Sequence, residues 1–157
     1  MRHLTLALIV TSFAMASENE RYGVIAKTEE DGKPVILNIS TSALNDLNRD
    51  KCPWLAIIAW KYEGGAMPTK EVNAKMIRLE DAIEDHIVKN EHCIHAVSRT
   101  GNGLKEWEYY IKDREDFISR FNRALADQEH YPVEITFYRD PEWRELKRFI
   151  AMLKKEG

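Results

Sequence analysis

The segment WLAIIAWKY, residues 54–62, constrains the fold more than any other stretch of this chain. Successive side chains of a strand point to opposite faces of its sheet, and here both faces are apolar except at Lys61. A strand of this kind lies in the middle of a sheet, because each of its faces needs a covering layer. The segment therefore predicts a central strand.

The elements after Pro53 are predicted in the order β-α-β-β-α-β, followed by one more helix. The strands cover residues 54–62, 92–100, 104–112 and 131–139, and the helices are capped by Thr69, Asp113 and Asp140, with Pro141 as the first helical residue of the last helix. This is the split βαβ arrangement of ferredoxin-like folds, and right-handed crossovers give it the strand order 4-1-3-2. The predicted fold class is therefore α+β, with the helices on one face of the sheet.

An N-terminal β-hairpin over residues 21–40 precedes this unit. Its turn is Asp31-Gly32, because both residues tolerate the positive φ angles of a type I′ turn. The turn sets three facing pairs, which are Val24 with Ile39, Ala26 with Leu37, and Thr28 with Val35. One side of the hairpin is then almost wholly apolar, so we expect the hairpin, or a second copy of the chain, to cover part of the other face of the sheet.

A second hairpin joins residues 92–100 to residues 104–112. A type II′ turn with Gly101 in its first position and Asn102 in its second suits the sequence. The predicted facing pairs are Cys93 with Tyr110, Ile94 with Tyr109, His95 with Glu108, Ala96 with Trp107, and Val97 with Glu106. This register places His95 on the same face of the sheet as Glu106, Glu108 and Tyr110.

Residues 1–16 have the pattern of a signal peptide. An Arg-His pair at positions 2–3 precedes an apolar run over residues 4–13, and small residues of a cleavage site follow at 14–16. The run is about half as long as a membrane-spanning helix needs to be. We therefore expect cleavage after residue 16, a single α+β domain over residues 17–157, no stable membrane insertion, and a periplasmic or secreted location. A leader that stays in place as an anchor is the alternative.

The composition is typical of a globular domain, with 44% hydrophobic and 31% charged residues in a chain of 157. The formal net charge of −3 becomes −4 when Arg2 leaves with the leader. An acidic chain of this kind does not call for nucleic acid as a partner.

The two cysteines, Cys52 and Cys93, are candidates for a disulfide in an oxidising compartment. Closing that loop would stabilise the fold by about 4 kcal/mol on a chain-entropy argument. The strands on which the two residues are predicted lie two strand spacings apart, about 9.6 Å, which is beyond disulfide reach unless the chain before Trp54 bends inward. Both the disulfide and the pair of thiols remain open.

Five segments carry a family resemblance that covers roughly residues 21–147: DGKPVILNIS, CPWLAIIAWKY, RLEDAI, RTGNGLKEWEYY and YPVEITFYRDPEW. In this order they resemble segments of the domain of unknown function family 695, which occurs mainly in bacterial proteins. The resemblance implies neither an activity nor catalytic residues. The predicted layout is also similar to that of the regulator of ribonuclease activity B, a protein-binding inhibitor with a ferredoxin-like arrangement, although an exported protein would not meet a cytosolic ribonuclease.

The candidate catalytic residues are His95 with Glu108 or Glu106, since a histidine beside a carboxylate supports acid-base chemistry near neutral pH. A polar cross-strand pair on a partly solvated sheet explains the same residues more simply, because no nucleophile or oxyanion donor accompanies them. His92 and His95 point to opposite faces of a strand, so we predict no metal site there. No sequence motif indicates a cofactor.

The candidate binding residues are two tyrosines and three cationic side chains: Tyr110, Tyr138, Arg144, Lys147 and Arg148. The cations of the last helix suit an acidic partner, although a solvated helix face is the default explanation.

Common catalytic motifs are missing from the sequence: it has no Gly-rich phosphate loop, Gly-x-Ser-x-Gly elbow, His-Glu-x-x-His or paired Cys-x-x-Cys. The leading hypothesis is a non-catalytic exported domain that binds an unidentified protein or other partner through its sheet face or last helix. The alternatives are a small hydrolase-like enzyme that uses His95 with Glu108 or Glu106, and an envelope protein that acts mainly as a homo-oligomer such as a dimer.

Overall fold

The computed structural model describes residues 9–10, 22–45, 51–89 and 93–155. Its elements in chain order are β1 (Ile9–Val10), β2 (Tyr22–Glu30), β3 (Lys33–Ser40), α1 (Thr41–Asn45), β4 (Trp54–Lys61), α2 (Lys70–Ile83) with a π-helical extension over Glu84–Val88, β5 (Cys93–Gly101), β6 (Leu104–Ile111), α3 (Arg114–Ala124), β7 (Val133–Arg139) and α4 (Arg144–Lys155). The caps predicted at Thr69 and Asp113 are confirmed, since their side chains accept hydrogen bonds from Val72 N and Asp116 N.

The strands form one antiparallel sheet in the order β1-β2-β3-β5-β6-β4-β7. This confirms the α+β class. The order of the whole sheet differs from that of a four-stranded ferredoxin-like sheet, because β3 pairs with β5 from Ile39 opposite Val97 to Val35 opposite Gly101. The N-terminal hairpin therefore extends the sheet sideways, and the prediction that it covers the other face is wrong.

The register of the β2–β3 hairpin is as predicted. Asp31 and Gly32 form the turn with φ angles of 53° and 73°, and the three predicted pairs are present. The apolar side of the hairpin, including Ala26 and Leu37, is buried against Phe149 of α4. The pattern of the hairpin was therefore sufficient to predict its register, and the cover it required comes from the last helix.

Both faces of β4 are buried, as the central-strand prediction requires. Ala56 and Ile58 face the layer formed by α2 and α3, whereas Leu55 faces the layer formed by α4 and α1. The first core contains Leu79, Ile83, Trp107, Phe117 and Phe121, and the second contains Ile39, Ala96, Tyr110, Trp143 and Leu146. Helices thus lie on both faces of the sheet, and not on one face as predicted. The face that the hairpin was expected to cover is covered by α4.

The turn between β5 and β6 differs from the predicted one. Asn102 and Gly103 occupy its two central positions with φ angles of 50° and 73°, so the turn is of the I′ kind. Gly101 instead ends β5 with φ of 146°, and a Cβ there would lie 2.3 Å from the carbonyl oxygen of Pro34. Glycine is required at 101 by the close approach of β3, which is a tertiary reason rather than a turn preference.

The register of the same hairpin changes with the turn. Ser98 faces Trp107 and Val97 faces Glu108, and an irregularity between His95 and Val97 then brings His95 opposite Tyr109. A β-bulge of this kind places two residues of one strand against one residue of the other. The predicted pairs of β5 with β6 are therefore wrong.

The start of α4 is also displaced from its predicted position. Asp140 caps the helix, but its carboxylate accepts hydrogen bonds from the backbone N–H groups of Arg144 and Glu145 at 2.8 and 3.1 Å, so the helix begins at Arg144. Pro141 lies in a turn instead of the first helical position. The reason is Trp143, whose φ of 54° interrupts the helical backbone before the regular turns begin.

No helix formed by the described residues is both long enough and apolar enough to cross a membrane. The predicted leader lies outside the described residues except for Ile9–Val10, which pair with Lys27 and Ala26 of β2.

Candidate functional site

The structure does not bring the predicted acid-base pair together. The ring of His95 stacks on that of Tyr109, with centroids 4.8 Å apart, on the face covered by α2 and α3. Glu108 follows Trp107 and precedes Tyr109 along β6, so its side chain lies on the opposite face, beneath α4. The sheet itself therefore separates His95 from Glu108.

Glu106 lies on the same face as Glu108 and is half-buried, opposite Arg99 of β5. The guanidinium of Arg99 binds the carboxylate of Glu30, the last residue of β2. Arg99 and Glu30 are therefore engaged with each other within the protein.

Glu108 is a buried acid. It is 7% exposed, and its Oε2 atom has no hydrogen-bond partner among the described residues. Burial raises the pKa of Glu108 to about 8, and the nearby carboxylates of Glu145, Glu106 and Asp140 act in the same direction, whereas Arg148 opposes them. Glu108 therefore holds a proton at neutral pH.

Tyr110 is a structural residue and not part of an exposed surface. It is fully buried, its hydroxyl donates to Asp140 Oδ2 at 2.8 Å, and it accepts from the backbone N–H of Leu146 at 3.3 Å. Its ring stacks on Trp143 at 4.2 Å. Burial, together with the hydrogen bond to Asp140, raises the pKa of Tyr110. These contacts fasten the start of α4 to the sheet.

The other predicted binding residues are exposed. Arg144 forms an ion pair with Glu142 in the turn before α4, Arg148 forms one with Glu145 of the same helix, and Lys147 lies on the solvent face. Tyr138 of β7 is 55% exposed. The three cations fit the default explanation of a solvated helix face.

Cys52 and Cys93 are separate thiols in the structure, and both are buried. Cys52 packs in the core beneath α4, where its carbonyl accepts a hydrogen bond from Trp143 Nε1 at 2.9 Å, and Cys93 packs in the core beneath α2 and α3. Burial raises the pKa of the Cys93 thiol, and the neighbouring Cys52 sulfur adds to this. The disulfide remains a prediction for the oxidised protein.

Within the described residues, no three side chains of His, Cys, Asp or Glu are grouped as metal ligands. His92, which the sequence places next to Cys93, lies outside the described residues.

The outer edge of β7 is an unpaired edge among the described strands. This strand ends the sheet and pairs only with β4 among the described strands. The backbone N–H of Asp140 donates to Pro53 on the β4 side, and alternation along a strand then turns the N–H and C=O groups of Ile135, Phe137 and Arg139 outward. The edge therefore offers a row of backbone donors and acceptors.

A groove runs between this edge and α3; we define the α3/β7 groove by Arg114, Ile118, Val133, Ile135 and Phe137. One depression of about 470 Å³ lies between Phe137 and the first turns of α3, and a second of about 350 Å³ lies beside Val133 and Ile135. Ile118 lines both, so the two depressions adjoin at its side chain. The β7 side chains on the floor are half-buried and apolar.

The spacing of the two depressions suits an extended chain. Phe137 lies two residues from Ile135 and four from Val133, which corresponds to about 7–13 Å along a strand. Alternate side chains of a bound extended segment are separated by the same distances. The groove can therefore take two apolar side chains while the backbone of the segment pairs with β7.

Sequence reasoning missed this groove. It identified residues 131–139 as a half-buried strand, but it did not use the fact that the predicted order places this strand at an edge. No local pattern marks Arg114 or Ile118, because their place beside β7 depends on how α3 packs on the sheet.

The model of one protein family, a family of unknown function designated DUF695, matches residues 25–150 of the chain. No curated protein and no solved structure matches the chain.

Proposed function

We propose that this chain, which belongs to the family of unknown function DUF695, is a partner-binding domain that accepts an extended segment of another protein along β7. The observation that carries the proposal is the outer edge of β7, whose outward backbone groups lie beside the two adjoining depressions of the α3/β7 groove. Edge strands are templates for a further strand, and such addition is a common mode of peptide recognition.

The sequence of β7 supports this use of the edge. Proteins commonly protect a free edge with proline, lysine or a bulge, whereas β7 reads VEITFYR and pairs with β4 without interruption from Val133 to Arg139. Backbone hydrogen bonds would supply affinity, and the two depressions would supply selectivity for apolar side chains at alternate positions.

The fold around the groove is proposed to be a ferredoxin-like unit. Strands β7, β4, β6 and β5 lie side by side in that order, and α2 and α3 cover one face. In such a unit the last strand is an edge strand by construction, because the crossover from β6 places it beyond β4. The leader pattern of residues 1–16 supports the proposal that the domain is exported and meets its partner outside the cytoplasm.

A hydrolase that uses His95 with Glu108 is not favoured, because the two side chains lie on opposite faces of the sheet. The proposed partner surface is likewise β7 and not the last helix, since Tyr110 is buried and the arginines at 144 and 148 form ion pairs with nearby glutamates of this chain.

The test is selection of peptide ligands from a displayed library of random ten-residue segments by the purified domain. Ile118→Glu places a charge between the two depressions and should abolish binding of the selected peptides. Ile77→Glu is the matched control, because Ile77 is 50% exposed on α2 and does not line the groove. Melting temperatures of both variants check that they fold.

Amide hydrogen exchange of the bound domain supplies an independent readout. A strand added to β7 should slow exchange at the outward N–H groups of Ile135 and Phe137. The proposal would be refuted if no peptide were selected, or if selected peptides bound Ile118→Glu as well as the parent. A dimer seen by sedimentation and broken by Ile118→Glu would replace the partner peptide by a second copy of the chain.

A further inference from the structure

Two guanidinium groups converge at one end of the α3/β7 groove. The guanidinium carbon of Arg114 lies 4.3 Å from the ring centroid of Trp54, and that of Arg139 lies 5.4 Å from the same centroid. Arg139 faces Trp54 directly in the pairing of β7 with β4, and Arg114 lines the depression beside Phe137. The indole thus holds both cations beside the edge to which a partner strand would add.

Neither guanidinium forms an ion pair with a carboxylate of the described chain, and both side chains are exposed. The adjacent carboxylate of Asp113 is engaged, because it caps α3 by accepting from the backbone N–H of Asp116 at 2.8 Å. Two other exposed arginines of the chain, Arg144 and Arg148, are paired with acidic neighbours. The Arg114–Arg139 pair is therefore available to an external anion.

We propose that this pair recognises a carboxylate of the bound segment, so that the partner carries an acidic group at the Arg139 end of β7 and apolar side chains at alternate positions along the groove. Arginine binds carboxylates through two parallel N–H···O bonds, and stacking on an aromatic ring holds its plane in place. This inference rests on the proposed function, since it names the chemistry of the segment that β7 accepts.

The carboxylate has two sources, an acidic side chain or the C-terminus of the partner. A segment antiparallel to β7 would place an early glutamate beside Arg139, whereas a parallel segment would place its last residue there. Antiparallel pairs are the commoner kind in sheets. The experiment is designed to distinguish these sources.

The probes are synthetic peptides as long as β7, in which valine alternates with threonine. One has glutamate first, one has glutamate last, one has glutamine at both ends, and all three are blocked at both termini; a fourth is the glutamine peptide with a free C-terminal carboxylate. Dissociation constants are measured for the parent domain, for Arg114→Glu, for Arg139→Glu and for Arg123→Glu. Arg123 is the matched control, since it is an exposed arginine of α3 outside the lining of either depression.

At least one carboxylate peptide should bind the parent about ten times more tightly than the blocked glutamine peptide. The advantage should disappear in Arg114→Glu and Arg139→Glu and persist in Arg123→Glu. The identity of the favoured peptide assigns the source of the carboxylate.

Equal binding of all four peptides, abolished in each case by Ile118→Glu, would overturn this inference and leave the proposed function standing. Equal loss in Arg123→Glu would also overturn it, because the effect would then be one of net charge. If none of the peptides bound while the displayed library yielded ligands, those ligands would be compared in the same variants, and indifference to Arg114→Glu and Arg139→Glu would overturn the inference. An empty library selection refutes the proposed function, and the inference fails with it.

Discussion

The buried carboxyl of Glu108 predicts a dependence of stability on pH that a single substitution removes. Burial raises its pKa from the ordinary value of 4.5 to about 8, with smaller contributions from nearby carboxylates. Glu108→Gln keeps the shape of the side chain and removes its titration. The comparison of parent and variant at two pH values therefore isolates the contribution of this one group.

The sign and size of the effect follow from proton linkage. As pH rises above 4.5, Glu108 loses its proton in the unfolded chain but keeps it in the folded protein until about pH 8. The folded state then binds more protons than the unfolded state, so the free energy of unfolding falls with rising pH. The fall is about 1.4 kcal/mol per pH unit, which amounts to about 3 kcal/mol between pH 4.5 and pH 7.

Urea denaturation of parent and Glu108→Gln measures this directly, with Glu106→Gln as the control for replacing a half-buried glutamate of the same strand and face by its amide. We expect the variant to gain about 2–3 kcal/mol of stability relative to the parent between pH 5 and pH 7. The absolute difference at pH 5 is not diagnostic, because a buried amide carries its own hydrogen-bonding cost. If the stability difference between parent and variant were the same at both pH values, the argument from burial would be refuted.

Three further predictions concern tertiary contacts. Trp143→Ala should lower the free energy of unfolding by about 3–5 kcal/mol in urea denaturation, because the fully buried indole fills the space under α4; a loss below about 1 kcal/mol would show that this core can collapse. Gly101→Ala should lower the free energy of unfolding by roughly 3 kcal/mol or more, since its Cβ would meet a backbone oxygen at 2.3 Å. Gly32→Ala is the comparison: Gly32 has a φ of 73° and open space around it, so the loss in the same assay should be only about 1–2 kcal/mol. Equal losses in the two variants would contradict the steric argument. Arg99→Ala should destabilise by about 2–3 kcal/mol because it leaves the largely buried Glu30 carboxylate without its cation, and Glu30→Gln in the same chain should recover part of that loss in a thermal melt.

Local patterns were reliable where a few neighbouring residues decide the outcome. Asp31-Gly32 was sufficient for the first hairpin, because both residues accept the backbone angles of the turn and the flanking apolar residues agree with that register. The N-caps at Thr69 and Asp113 are local in the same sense, since each side chain binds a backbone N–H three residues away.

The second hairpin shows where local patterns are ambiguous. Gly101-Asn102 and Asn102-Gly103 both suit a two-residue turn, and the choice between them changes every pair that follows. The structure has the Asn102-Gly103 turn, in which Gly101 ends β5 and lies against residues 34–35 of β3. Residues 34–35 lie far from Gly101 in the sequence, so no local pattern indicates this contact. The change of turn shifts the partner of His95 by two residues, which leaves it on the face of Glu108, and the bulge between His95 and Val97 then transfers His95 to the opposite face.

Residue patterns along the chain were sufficient to predict the class of fold, the central strand, the first hairpin and the family resemblance, because each depends on periodicity, turn chemistry or residue order. Which elements cover the sheet, and where a partner would bind, depend instead on tertiary packing. Trp54, Arg114 and Arg139 come from three distant segments, and their convergence at the edge of β7 depends on the packing of α3 against the paired strands. Packing between distant segments leaves no periodic trace in a sequence, so the candidate site became visible only in the folded chain.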